Sequence, residues 1–182
     1  MELLWYDIRT LDTDTMAHTV GMMDEERRRR VNDIAGEDDR RRTVAGELLA
    51  RRLLAQRLGC GEGEVPLRWD EMGKPTVDAV GVYVSVSHSG PYAVCAIADV
   101  PVGVDVEVVR SADEKFMRRV CSEAEMAYIR VGDDGDCARF WETWTAKEAL
   151  FKLTGKGPLL ALSRLAPVSY THLRAHETKA NL

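Results

Sequence analysis

The chain has 182 residues, with 25 basic and 30 acidic side chains and a formal net charge of −5. A composition of 45% hydrophobic and 30% charged residues fits one globular domain or two small halves and excludes a wholly disordered chain. No run reaches the roughly 18 apolar residues that cross a bilayer, the start MELLWYDIRTLD carries no basic leader, and the mild negative charge speaks against a general nucleic-acid binder.

In chain order, Glu2–Ile8 is a short apolar run with β preference. Asp and Thr residues within Leu11–Thr15 can cap a helix over 14–22. The charged stretch DEERRRRVND receives no element. From Asp38 to Leu58 the apolar positions Val44, Leu48, Leu49, Leu53 and Leu54 recur at helical spacing, and Gly59 is a helix stop. Glu71–Pro75 (EMGKP) is a turn. Val82–Val86 and Tyr92–Ala98 form a hairpin around the turn Ser87–Pro91, and Val102–Val108 is a third strand. Helices follow at 113–120, 122–131 and 136–154, the last ended by Gly155, Gly157 and Pro158. Strands mixed with separated helices predict an α+β fold.

Cys60, Cys95, Cys121 and Cys137 are spaced by 35, 26 and 16 residues without a C-x-x-C, which is neither a zinc pattern nor a disulfide framework. They read as thiols of a cytoplasmic, reducing environment.

Three stretches carry chemistry. In VGVDVEVV (Val102–Val109), strand alternation puts Gly103, Asp105 and Glu107 on one face and the valines on the other. Two carboxylates so close repel, and a divalent cation with oxygen ligands resolves this, with Gly103 leaving room for a ligand. A half-exposed edge strand with solvated acids explains the same alternation. In FWETWTAKEALFKLTGKG (Phe140–Gly157), about 100° per residue places Phe140, Trp144 and Phe151 on one stripe, Glu148 at its edge between Trp141 and Trp144, and Lys152 one turn on. A carboxylate set against tryptophans is desolvated, so Glu148 is a third metal ligand or a general base beside a cation. An ordinary surface pair between Glu148 and Lys152 is the alternative. Third, His88 sits between Ser87 and Ser89, and Lys74 sits in a G-K-P turn. Each alone is an ordinary polar residue, and no G-x-S-x-G nucleophile elbow accompanies them.

The order G-K-P, S-H-S, G-V-D-V-E and W-x-x-K-E-x-x-x-K, preceded by RRTVAGELLAR (Arg41–Arg51), resembles the Sfp-type 4′-phosphopantetheinyl transferases from about Arg27 to Leu160. The resemblance implies a transferase-like fold of two similar halves, here 1–100 and an incomplete 101–168. It implies transfer of the phosphopantetheine arm of coenzyme A to a serine of an acyl or peptidyl carrier protein, with release of adenosine 3′,5′-bisphosphate. Asp105, Glu107 and Glu148 would hold Mg²⁺, Glu148 would help deprotonate the serine, and Lys152 would neutralise the departing charge. Lys74, Ser87 and His88 match coenzyme A contacts, Arg42 matches a 3′-phosphate contact, and Arg29 is the choice within Arg27–Arg30. A two-halved chain of this kind is expected to be monomeric, with no nucleic-acid or membrane partner.

Residues 169–182 resemble translated adapter sequence after a truncated frame. His172 and His176 there lack the third ligand of a metal site. Two further readings are an inactive fragment that only binds coenzyme A or a carrier protein, and a nucleic-acid-binding module. The second is weakened by eight acids among the ten arginines of residues 21–60.

Overall fold

Glu2–Asp7 forms β1, followed by a 3₁₀ turn at Ile8–Thr10. Asp12 caps α1 (Thr13–Gly21), its Oδ1 accepting the Thr15 N–H at 2.7 Å. The stretch left without an element is a helix, α2 (Glu25–Asn32). It has almost no apolar face, so periodicity hides it. Its ends are well specified instead: Asp24 Oδ1 accepts the Arg27 N–H at 2.8 Å, acids fill the first turn, and Arg29 and Arg30 fill the last. The long α3 (Glu37–Leu58) ends at Gly59, whose φ of 68° is the left-handed conformation suited to glycine.

Around the expected EMGKP turn lie two short antiparallel strands, β2 (Leu67–Trp69) and β3 (Pro75–Val77). Asp70 organises the turn: its N–H donates to the Lys74 carbonyl at 3.0 Å, and its Oδ1 accepts the Lys74 N–H at 2.8 Å. Next come β4 (Tyr83–Ser89) and β5 (Tyr92–Ala98). The sheet order is β1-β5-β4, antiparallel throughout, with Ser89 opposite Tyr92 and Glu2 opposite Ile97. The turn is therefore only Gly90–Pro91, and His88 lies within a strand rather than at a bend. The apolar run of β5 takes the central place, and Val44, Leu48, Leu49, Leu53 and Leu54 of α3 join Cys95, Ile97 and Val84 in one core.

Val102–Val108, expected as a third strand, joins no ladder among the described residues. The helices that follow are α4 (Glu114–Val120), α5 (Glu123–Arg130) and α6 (Ala138–Thr154). The computed structural model describes residues 1–130 and 137–154. The expectations for Gly155, Gly157, Pro158 and the tail at 169–182 lie outside them. The described residues divide into two units, one of Met1–Val109 with α6 from Glu148 on, the other from Arg110 to Lys147.

The second unit is built on aromatic packing and one buried ion pair. Phe140 lies 5.8 Å from Phe116 and 5.1 Å from Trp141, ring to ring, and Trp141 Nε1 donates to the Arg110 carbonyl at 2.6 Å. Lys147 is fully buried; its Nζ donates to Glu125 Oε2 at 2.6 Å and to the Val120 carbonyl at 2.9 Å. The same Glu125 caps α5, accepting the Ser122 N–H at 2.6 Å while its own N–H donates to Ser122 Oγ.

Candidate functional site

Alternation along β4 puts Ser85, Ser87 and Ser89 on one face, and all three are buried. The other face turns to α3: a Cβ on Gly46 would lie 2.9 Å from Val86 Cγ1. The serine face holds the acidic segment. Ser87 Oγ donates to Asp105 Oδ1 at 2.6 Å, and Ser89 Oγ donates to Glu107 Oε2 at 2.6 Å. In return Ser85 Oγ accepts the Val104 N–H at 3.1 Å and Ser89 Oγ the Val108 N–H at 3.3 Å. Among the described residues, side chains of β4 thus hold this segment where a backbone ladder would.

From its other side the segment meets the end of α6. A Cβ built on Gly103 would stand 1.9 Å from the Ala149 carbonyl oxygen and 2.7 Å from the Leu153 nitrogen. Gly103 therefore admits a helix backbone, not a ligand as its sequence position implied. That approach delivers Lys152. Its Nζ lies 2.6 Å from Asp105 Oδ1 and 2.7 Å from Ser87 Oγ. Asp105 is almost fully buried, whereas the Lys152 side chain stays 29% exposed.

Glu148 joins this group electrostatically. Burial raises its pKa first, the Asp105 carboxylate raises it further, Lys152 works against both, and Glu107 adds to the rise. Glu148 Oε1 and Asp105 Oδ2 are both buried without a hydrogen-bond partner. Among the described residues no three His, Cys, Asp or Glu side chains are gathered closely enough to hold a metal as they stand. The donor chemistry nevertheless fits a hard cation, since two carboxylates present buried, unpartnered oxygens in each other's field.

Lys74 and Lys152 line one cavity of about 350 Å³, with Thr76, Tyr83 and Val102 among its walls. Arg42 reaches the β4–β5 turn, its Nη1 donating to the Gly90 carbonyl at 2.8 Å, and it also pairs with Asp39. His88 is exposed at the surface, yet the protein around it lowers its pKa, and the charges of Arg42 and Lys152 lower it further. Arg29 is set apart: it lines a surface groove on α2 with Glu25, Glu26 and Asp33. Its neighbours are the ones held in place. Arg27 stacks over the Trp69 ring at 4.1 Å, and Arg30 Nη1 donates to the Asp70 carbonyl at 3.2 Å.

Sequence reasoning assigns no role to Ser85, Ser89 or Lys147. The serines were signalled by the i, i+2, i+4 spacing in SVSHS. Lys147 is the first lysine of the W-x-x-K-E-x-x-x-K motif, and the S-x-x-E box at Ser122–Glu125 supplies its partner.

Comparison with known proteins adds two family matches in tandem. Residues 12–99 match the model of the 4′-phosphopantetheinyl transferase N-terminal region, and residues 101–176 match the 4′-phosphopantetheinyl transferase superfamily. The chain belongs to this superfamily. It is 34% identical over 126 residues to the 4′-phosphopantetheinyl transferase gsp of Aneurinibacillus migulanus, covering 69% of this chain and 53% of the relative. The 4′-phosphopantetheinyl transferase Sfp of Bacillus subtilis is 26% identical over 159 residues, 86% of this chain and 71% of the relative. The 4′-phosphopantetheinyl transferase psf-1 of Bacillus pumilus is 33% identical over 127 residues, 69% and 54% respectively. The chain thus spans about half the length of gsp and psf-1. The α+β fold is that expected of a phosphopantetheinyl transferase, and no helix among the described residues is long and apolar enough to cross a membrane.

Proposed function

We propose that this chain transfers the 4′-phosphopantetheine arm of coenzyme A to a serine of an acyl or peptidyl carrier protein, releasing adenosine 3′,5′-bisphosphate. The supporting observation is the meeting of Asp105, Glu148 and Lys152, with two carboxylate oxygens buried and unpartnered beside a partly exposed lysine. Asp105, Glu107 and Glu148 would hold Mg²⁺, which when bound screens the pyrophosphate against these acids. The pyrophosphate brings further negative charge, and Lys152 and Lys74, facing one cavity, supply the cations that bind it. The carrier serine oxygen bonds to phosphorus as the bond to the bisphosphate oxygen breaks, an in-line displacement driven by positioning and charge stabilisation. Glu148, whose proton affinity is already raised, receives the serine proton, and Lys152 stabilises the departing phosphate oxygen. Arg42 supplies the cation that would take the 3′-phosphate, with the His88 imidazole beside it as a hydrogen-bond donor; Ser87 and Arg29 complete the coenzyme A contacts in this reading.

The same reading takes the chain as a cytoplasmic monomer of two related halves, 1–100 and 101–168, with no nucleic-acid or membrane partner. The four free cysteines support the reducing compartment. The test is to incubate the chain with apo carrier protein, coenzyme A and Mg²⁺ and weigh the carrier by mass spectrometry. Gain of one phosphopantetheine, stopped by a chelator and restored by Mg²⁺, is the expected result. An unmodified carrier of every class tried overturns the reading.

A further inference from the structure

We propose that Ser85 and Ser89 are positioning residues which set the spacing of Asp105 and Glu107, so that β4 acts as a hydrogen-bond template for the acidic segment. The inference rests on the proposed role of those acids in metal binding. Contacts advance along both chains together: Ser85 with Val104, Ser87 with Asp105, Ser89 with Glu107 and Val108. The two run in the same direction, and no backbone ladder joins them. The serines therefore decide where the acids stand along β4.

Ser89 does this twice. Its single hydroxyl proton goes to Glu107 Oε2, and its lone pair takes the Val108 N–H. A carboxylate and the backbone beside it are thus held by one atom, fixing both the position and the rotamer of Glu107. Ser85 holds only backbone, the Val104 N–H next to Asp105. Ser87 is bonded to Asp105 and Lys152 and belongs to the site itself. Three buried hydroxyls at every second residue of one strand are poor core packing material, and burial without partners would be costly. Here the hydroxyls are used on the segment that carries the acids.

The test compares the full chain with Ser89→Ala, Ser85→Ala and Ser89→Thr by two readouts. Amide hydrogen exchange follows Val104 and Val108, and Mn²⁺ titration in the presence of coenzyme A follows the acids by paramagnetic resonance. Ser89→Ala should speed exchange at Val108 by about tenfold or more, as expected when one hydrogen bond is lost. It should weaken Mn²⁺ by a similar factor. Ser85→Ala should speed exchange at Val104 and weaken Mn²⁺ less, because Ser85 touches no carboxylate. Ser89→Thr keeps the hydroxyl and should restore both readouts. Unchanged exchange at Val108 in Ser89→Ala overturns the template. Faster exchange with Mn²⁺ affinity unchanged overturns the positioning role and leaves the proposed function standing. A wild-type chain that binds no Mn²⁺ with coenzyme A removes the metal reading, and this inference with it.

Discussion

Helix α6 carries two lysines five residues apart, and each sits 2.6 Å from a carboxylate oxygen. Lys147 is fully buried and also holds the Val120 carbonyl, and its partner Glu125 spends the same oxygen on the cap of α5. Lys152 keeps 29% of its side chain exposed and faces a cavity with Lys74; its partner Asp105, like Glu125, has its other oxygen buried without a hydrogen-bond partner. The pair distance is identical, so distance does not tell a structural ion pair from a chemical one. Access does. The first pair is shut inside its unit, with both side chains buried. The second is open on one side and sits in the field of a second, destabilised carboxylate, Glu148.

The contrast is broken most severely by Lys147→Ala. Removing one partner leaves Glu125 charged and buried, at a cost of about 3–5 kcal/mol. The melting temperature should fall by roughly 10 °C for a chain of this size, measured by circular dichroism. A fall of no more than a degree or two would make the Lys147 pair no more structural than the Lys152 pair. Lys152→Ala should act mainly on transfer. Lys152 is partly exposed, so water can enter beside Asp105 when its side chain is removed, and melting should fall by less than in Lys147→Ala. Transfer to a carrier protein should drop by about a hundredfold, as on loss of one charge-stabilising group.

Gly103→Ala comes next, because it touches the second pair without touching its chemistry. Its Cβ would need the space of the Ala149 carbonyl, so the acidic segment must move away from α6. The expected cost is about 1–3 kcal/mol, as for other overpacked sites, with transfer lost alongside. Wild-type melting and transfer together would mean that the close approach is not needed.

The smallest expected effect concerns His88. Its pKa is lowered in the folded chain, so between the folded and unfolded values the unfolded state binds more protons. Stability therefore rises with pH through that window and is lost as pH drops from about 6.5, the unfolded value. His88→Asn should flatten this part of a melting-temperature profile between pH 7 and 5 by a small amount. A variant profile as steep as that of the wild type assigns the slope to other groups.

Much of this was readable from the chain. The apolar spacing of Val44 to Leu54 and the continuous run YAVCAIA locate α3 and β5, because long periodic segments bury one face or both. The acid alternation and the helical-wheel position of Glu148 bring the carboxylates into one argument before any coordinates. What could not be read has physical reasons. α2 is specified by its cap and end charges, not by an apolar stripe. β2 and β3 are three residues each, too short to show a period. Val102–Val108 has strand composition, yet its partners are serine side chains, which no propensity encodes. Gly103 has the look of space for a ligand, but a helix backbone fills that space.

The most direct measurement of the central claim pairs two readouts on Glu148→Gln. The same preparation is melted and then incubated with apo carrier protein, coenzyme A and Mg²⁺, with the carrier weighed afterwards. Gln relieves the repulsion with Asp105, so melting should stay within a few degrees of wild type or rise, while phosphopantetheine transfer falls by about a hundredfold or more. Undiminished transfer by Glu148→Gln would contradict the account.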